Sequence, residues 1–240
     1  MVNRMNAPLV TVITVSYNAD KDIEETIKSV ICHKSFEIEY LIIDGKSTDS
    51  TMVIINKYLN FIDLVISEQD NGIYDAMNKG VKRAKGKFIT FINAGDILFK
   101  IPLDVLKKSY SDIICFPVLL STGNVIKPKL NGWLRLRNTI PHQGCYYKND
   151  NWLIFNLQFK VFADFELNQR LYKNNFNFEI NDQYIVARHN LDGISNHRSS
   201  LNEIFEVVKF NYGSLTMILS KLYFKFYGAR KRFKKLFSLK

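Results

Sequence analysis

Four short polar clusters hold the groups able to do chemistry in the first hundred residues: Ser16-Tyr17-Asn18, Asp44-Gly45, Glu68-Gln69-Asp70 and Asn93-Ala94-Gly95-Asp96. Each closes an apolar run, at residues 10–15, 40–43, 64–66 and 88–92. Hydroxyls, amides and carboxylates grouped in this way can bind a polar ligand. Asn, Asp and Gly are also ordinary turn formers, so any one cluster would mean little. Four of them, after four successive runs, point to a single crevice.

The elements that must position these clusters can be read from the change of period. The β-branched run at residues 10–15 suits a strand buried on both faces. After it, Asn18 or Asp20 offers an N-cap, and Ile23, Ile27, Val30 and Ile31 recur at helical spacing. Ser47, Thr48 and Asp49 precede a second helical stretch carrying Val53, Ile54 and Tyr58. Tyr74, Met77, Val81 and Ala84 form a third, stopped at Gly86. Strand and helix alternating three times predict an α/β fold of βαβ units with a mostly parallel sheet. In such sheets ligands bind beyond the carboxyl ends of the strands, where the four clusters fall. Past residue 100 the rhythm loosens. Residues 113–116 and the neighbourhood of Val125 read as strands around a Thr122-Gly123-Asn124 turn, and residues 164–172 as a helix. With no repeat or linker in view, the second half is expected to extend the same sheet.

Composition narrows the partners. The 240 residues are 47% hydrophobic with 11 Gly and 5 Pro, which excludes a collagenous or broadly disordered chain. Lys and Arg number 33 against 23 Asp and Glu, a net charge of +10 that favours an anionic partner. The charge is concentrated. Residues 221–240 hold eight basic side chains and no acidic one, so the remainder is nearly neutral, which argues against nucleic acid as substrate. Cys32, Cys115 and Cys145 are too scattered for a disulfide framework or a metal motif and read as reduced thiols of a cytosolic protein. There is no secretory-type apolar stretch at the N-terminus and no run of about 18 apolar residues, so neither a signal nor a membrane span is expected.

Three longer segments carry a family resemblance: residues 12–18 (VITVSYN), 40–51 (YLIIDGKSTDST) and 67–80 (SEQDNGIYDAMNKG). A second set follows, Pro141-His142-Gln143, residues 163–167 (ADFEL) and Asp192-Gly193-Ile194-Ser195. In sequence and spacing they resemble the family 2 glycosyltransferases, the inverting GT-A group that builds bacterial surface polysaccharides. The resemblance implies a Rossmann-like GT-A sheet with a nucleotide-sugar half (residues 1–99), an acceptor half (100–200) and a basic helical region (201–240). It implies a UDP-sugar donor whose base meets Asp44, with Thr14, Ser16, Tyr17, Asp70 and Asn93 lining the same side. Asp96 would face Mn²⁺ or Mg²⁺ on the donor diphosphate, although the preceding acid of the family signature is Gly95 here. Asp164 falls where the family places the base that deprotonates the acceptor hydroxyl. Glu166, two residues on, belongs on another side of the same helix. His142 and Gln143 match a position near acceptor or diphosphate. Lys79 either approaches a phosphate or is simply solvated. Asp44, Asp96 and Asp164 each retain a structural alternative, as an Asx-turn, a turn or cap, and a helix-dipole partner respectively.

The basic tail adds its own reading. Leu215, Leu219, Leu222, Phe226, Ala229, Phe233 and Leu236 recur in alternating steps of four and three, one apolar stripe of a helix set among Lys221, Lys225 and Arg230. Basic amphipathic helices with aromatics lie in the interface of anionic membranes. Packing of the stripe on the domain, or on a partner protein, is the alternative. With the resemblance, this implies a peripheral enzyme at the inner face of the cytoplasmic membrane, acting on an undecaprenyl-diphosphate-linked saccharide. Two rivals remain at this point. One is a silent nucleotide-sugar-binding scaffold subunit, for which Gly95 speaks. The other is a nucleotidyltransferase, against which the absence of a glycine-rich basic loop after the first strand speaks.

Overall fold

The computed structural model describes residues 7–191 and 201–237, with side chains through residue 227. The first half is strand β1 (Val10–Ser16), helix α1 (Ile23–Ile31), β2 (Ile38–Asp44), α2 (Thr51–Asn56), β3 (Leu64–Ser67), α3 (Ile73–Val81) and β4 (Phe88–Phe91). The second runs β5 (Ile97–Leu98), α4 (Leu103–Lys108), β6 (Ile113–Cys115), β7 (Val118–Leu120), β8 (Val125–Ile126), β9 (Cys145–Lys148), α5 (Ala163–Lys173), β10 (Phe178–Ile180), β11 (Ala187–His189) and α6 (Leu201–Phe237). Short 3₁₀ turns lie at Leu59–Phe61, Gly132–Arg135 and His142–Gly144.

Seven strands form one sheet in the order β10-β6-β9-β4-β1-β2-β3. All neighbours are parallel except β9, which runs antiparallel to β4 and β6. Alternate side chains of β1 and β2 face opposite layers, as the two-residue period of a strand requires. Ile13, Val15, Leu41 and Ile43 pack under α3 and α5, with Ile204, Val207 and Val208 of α6 in the same cluster. Val10, Val12, Tyr40 and Ile42 pack on the other side with Ile23, Ile27 and Val30 of α1 and Ile55 of α2.

Three sequence expectations are corrected. Neither Asn18 nor Asp20 caps α1. Asp22 occupies that place, and Asn18 has a left-handed φ of 46° that turns its amide toward the loop after β2. Of the residues expected on α2, Ile54 and Tyr58 pack against the core, but the fully buried apolar residue is Ile55, and Val53 points outward at 63% exposed. The second half does more than extend the first sheet. β6, β9 and β10 join it, while β5, β11, β7 and β8 make a separate four-stranded sheet. Strands of two or three residues are too short to show a period.

Gly213, at φ 83° and ψ 175°, breaks α6 into two helical lengths. The first is tied to α5, where Asn211 Nδ2 donates to Gln169 Oε1 at 3.1 Å and to the Glu166 carbonyl at 3.3 Å. The second is pinned by Ser220 Oγ, which donates to the Leu136 carbonyl at 2.6 Å. Opposite that contact, Leu215, Ile218, Leu219, Leu222 and Phe226 lie open on the surface, with Leu215 74% and Phe226 70% exposed. Arg230 and Phe233 continue the helix, but their side chains lie outside the described ones, as do residues 192–200 with the Asp192-Gly193-Ile194-Ser195 motif. Among the described residues no helix is long and apolar enough to cross a membrane.

Candidate active site

The carboxyl ends of β1, β2 and β3 build one wall. Asp44 ends β2 fully buried. Its Oδ1 accepts from Ser16 Oγ at 3.1 Å and Ser47 Oγ at 2.5 Å, and its Oδ2 from Ser47 N at 2.9 Å and Ser67 Oγ at 2.7 Å. One carboxylate thus holds three strand ends together. Asn18 adds a second tie: its N–H donates to Ser47 Oγ at 2.8 Å, and its Oδ1 accepts from Thr48 N at 2.9 Å. Thr14 is sealed below, its hydroxyl 3.1 Å from that of Tyr40. The open face of the wall is Tyr17, 64% exposed, with Asp70 across Gly45. A Cβ on residue 45 would stand 2.5 Å from Asp70 Oδ2 and 3.3 Å from the Tyr17 ring, so the two side chains meet only over a glycine. Asp70 Oδ1 accepts from Gly72 N at 2.9 Å. Lys79 is spent on this wall, bonded to the Gln69 carbonyl at 2.7 Å and paired with Glu68 at 3.0 Å.

The second wall is the turn after β4. Gly95 takes a left-handed φ of 96°, where an acidic side chain would be strained. Its N–H donates to Thr26 Oγ1 at 3.0 Å, which in turn donates to the Asp96 carbonyl at 2.8 Å, so α1 fixes the turn. The Asp96 carboxylate, buried, has Asn190 N at 3.0 Å and His189 Nδ1 at 2.9 Å on Oδ1, with Gln143 Nε2 at 3.3 Å on Oδ2. Gln143 Nε2 also lies 2.6 Å from His189 Nδ1. Sequence reasoning missed His189. It reaches the site because β11 runs antiparallel to β5 just beyond Asp96, a pairing across ninety residues. Among the described residues no three histidine, cysteine or acidic ligands stand together.

Asp164 enters from the N-terminus of α5 and is only 6% exposed. Tyr74 Oη lies 3.0 Å from its Oδ1, while His142 Nδ1 and Asn138 Nδ2 each lie 3.3 Å from Oδ2. Burial opposes ionisation of this carboxyl, but the His142 bond and charge, helped by Tyr74, outweigh it and hold its pKa below the ordinary value. Burial likewise disfavours a charged His142, and the bond to Asp164 and its charge, with Asp96 farther off, lift its pKa above the ordinary value. The two form a buried ion pair. A cationic His142 donates from both nitrogens. Its Nε2 lies 3.3 Å from the Asn93 amide, whose Oδ1 is buried without a partner, so a half-turn of that amide supplies the acceptor. Asn93, His142 and Asp164 therefore form one polar chain from the end of β4 to the start of α5. Tyr74, which the periodicity gave to the core, belongs to it too. Glu166 points elsewhere: Oε1 accepts from Arg170 Nε at 3.0 Å, and burial, only partly offset by Arg170, raises its pKa.

Residues 11–103 match the model of glycosyl transferase family 2. That stretch contains both walls of the crevice. Over that stretch the chain is similar to the family 2 glycosyltransferases. A PGL/p-HBAD biosynthesis glycosyltransferase of Mycobacterium bovis is 26% identical over 207 residues, covering 80% of this chain and 81% of the relative. TuaG of Bacillus subtilis, named for teichuronic acid biosynthesis, is 39% identical over 92 residues, 37% of this chain and 36% of that one. In three dimensions the chain superposes on Staphylococcus aureus TarS 1-349 in complex with UDP-GlcNAc with a TM-score of 0.69 and 20% identity, covering 84% of this chain and 64% of TarS 1-349. The mannosyltransferase PcManGT of Pyrobaculum calidifontis, in complex with GDP-Man and Mn²⁺, gives 0.62 at 15% identity, over 83% and 63% of the two chains. These likenesses show the GT-A fold, a mostly parallel sheet flanked by helices.

Proposed function

We propose that this glycosyltransferase transfers a sugar, with inversion, from a UDP-sugar to a lipid-diphosphate-linked saccharide at an anionic membrane surface, in surface polysaccharide assembly. The observation that carries the reading is the buried Asp164–His142 pair. It keeps a carboxylate ionised at the far end of a polar chain from the Asn93–Asp96 turn, as an in-line displacement requires of its base.

The wall of Tyr17, Gly45 and Asp70, floored by Ser16 and Asp44, receives the nucleoside. Asp44 acts mainly by holding the strand ends, and Tyr17 offers an exposed ring for the base to stack on. Asp96 is a hard carboxylate donor of the kind Mn²⁺ or Mg²⁺ takes, and would hold the cation with the remaining positions left to diphosphate oxygens and water, while His189 orients its Oδ1. Bound there, the cation supplies charge neutralisation for the departing diphosphate. Tyr74 has one hydroxyl proton and two acceptors, Asp164 Oδ1 at 3.0 Å and the Val161 carbonyl at 2.8 Å. Swinging to Val161 frees Oδ1 to accept the proton of the acceptor hydroxyl as its oxygen attacks the anomeric carbon. His142 meanwhile keeps Oδ2 fixed. Gly95 follows from the left-handed turn and gives no support to a silent subunit.

The exposed stripe of α6, flanked by Lys221 and Lys225 and continuing toward Arg230 and Phe233, supports seating on the inner leaflet of the cytoplasmic membrane. Purified protein incubated with UDP-sugars, Mn²⁺ and prenyl-diphosphate-linked saccharides is expected to release UDP only when both substrates are present. UDP binding without release for any donor and acceptor pair would contradict the enzymatic reading.

A further inference from the structure

A stretch of the acceptor half is basic and contains no acid of its own. Residues 113–149 contain five Lys or Arg and no Asp or Glu, and α6 has none from residue 207 to the end of the chain. Within this stretch Lys127 pairs with Asp182 and Lys148 with Asp112. Arg135 and Arg137 have no carboxylate partner among the described residues, and Arg137 Nε is buried without any hydrogen bond. A guanidinium is always charged and presents five donors. Leaving one of them dry and unmatched is costly unless a ligand completes it.

The turn carrying these arginines is rigidly held. Gln169 Nε2 of α5 donates to the carbonyls of Leu134 at 2.9 Å and Arg135 at 3.1 Å. Ser220 of α6 takes the next carbonyl, that of Leu136. The Arg137 guanidinium carbon sits 5.3 Å from the Tyr223 ring centre, and Tyr223 packs on Trp133 at 5.2 Å. Arg135 lies 5.8 Å from the Tyr212 ring. One residue further, about 3.8 Å along the chain, Asn138 donates to Asp164 Oδ2. The arginines thus stand between the base and the helix whose outer stripe faces away from the body.

We propose that Arg137, assisted by Arg135, binds the phosphate of the acceptor's lipid carrier, fixing the end of the acceptor opposite the attacking hydroxyl. This rests on the acceptor class proposed above and adds the residues that recognise it. A guanidinium fork matches two phosphate oxygens bidentately. Placement beside α6 lets the lipid enter along the membrane-facing helix while the sugar reaches Asp164.

The test is calorimetric titration of the full chain with geranyl diphosphate, a soluble prenyl diphosphate, in saturating UDP and Mn²⁺ so that the donor site is filled. Arg135→Gln/Arg137→Gln is expected to weaken binding at least tenfold. Arg137→Lys, which keeps the cation over Tyr223 but loses the fork, should fall between it and the parent. UDP affinity and sedimentation with phosphatidylglycerol vesicles should both stay within twofold. Unchanged geranyl diphosphate binding in the double variant would overturn the proposal. An equal loss of UDP affinity would assign the arginines to the donor, and a loss confined to vesicles would assign them to bilayer headgroups; either overturns it. If the parent protein binds UDP but not geranyl diphosphate, this inference fails alone. If it binds neither, the proposed function fails first.

Discussion

Replacing Asp164 by Asn separates the chemistry from the scaffold. The carboxylate is buried with three donors, Tyr74, His142 and Asn138. An Asn amide keeps the shape. With its oxygen in the place of Oδ2, it can still accept from Asn138 and from a neutral His142 protonated on Nδ1, while its NH2 faces Tyr74, whose proton turns wholly to the Val161 carbonyl at 2.8 Å. What is lost is the charge in one buried ion pair. Exchanging charged for neutral hydrogen bonds here should cost about 2–3 kcal/mol, or roughly 4–12 °C in Tm for a chain of this size. Transfer should fall by about 10²–10⁴, the usual contribution of a general base. UDP affinity should stay within twofold, because the Tyr17–Asp70 wall does not touch Asp164. His142 gives an independent readout. With Asp164 neutral, the bond and charge that raise its pKa are gone and burial, which lowers it, remains. Its ring should titrate below 6.5 in the variant and above it in the parent. Four histidines in the chain make the NMR assignment tractable. Turnover within tenfold of the parent, or a His142 that still titrates high, would refute the reasoning.

Further outcomes follow from the same geometry. The folded pKa of Asp164 lies below 3.8, so its stabilisation is present above that pH and is lost as pH falls through the folded value. That of His142 lies above 6.5, so its stabilisation is present below that pH and is lost as pH rises through the folded value. The pair should therefore add most to Tm between 3.8 and 6.5, and a His142→Gln variant should lose that pH dependence in thermal melts. Gly45→Ala places a methyl against Asp70 Oδ2, the end of a side chain that can swing aside. Stability should change by less than about 1 kcal/mol, while UDP affinity falls about tenfold; unchanged affinity would remove Asp70 from the donor wall. Leu219→Asp/Phe226→Asp alters two exposed side chains of α6. It should abolish sedimentation with anionic vesicles and leave Tm unchanged, whereas a large drop in Tm would mean that the stripe is packed after all.

The parallel core of the sheet was legible because residues 10–15 are β-branched throughout and residues 40–43 apolar throughout, and both runs end in polar clusters that a turn alone does not require. The four clusters fall at the carboxyl ends of four neighbouring parallel strands, β4-β1-β2-β3. Asp164 and Glu166 were separable by helix geometry before any coordinates. His189 was not legible, since it depends on a three-residue strand meeting a two-residue one. Tyr74 fitted the helical stripe of the core so well that its hydroxyl went unweighed. Asn138, Arg135 and Arg137 sit in a turn without periodicity, ordered by bonds from Gln169 and Ser220 that no local pattern announces. From Leu215 to Phe226 the α6 stripe shares one face as its spacing implied, yet only packing could tell that it faces outward.

The most direct test of the account is calorimetric titration of the purified chain with UDP, GDP and TDP, each with and without Mn²⁺, alongside Asp96→Ala. UDP alone among the three should bind well, and Mn²⁺ should tighten it at least tenfold in the parent and hardly at all in the variant. No UDP binding, or a Mn²⁺ response that survives in Asp96→Ala, would contradict the site assigned to the crevice.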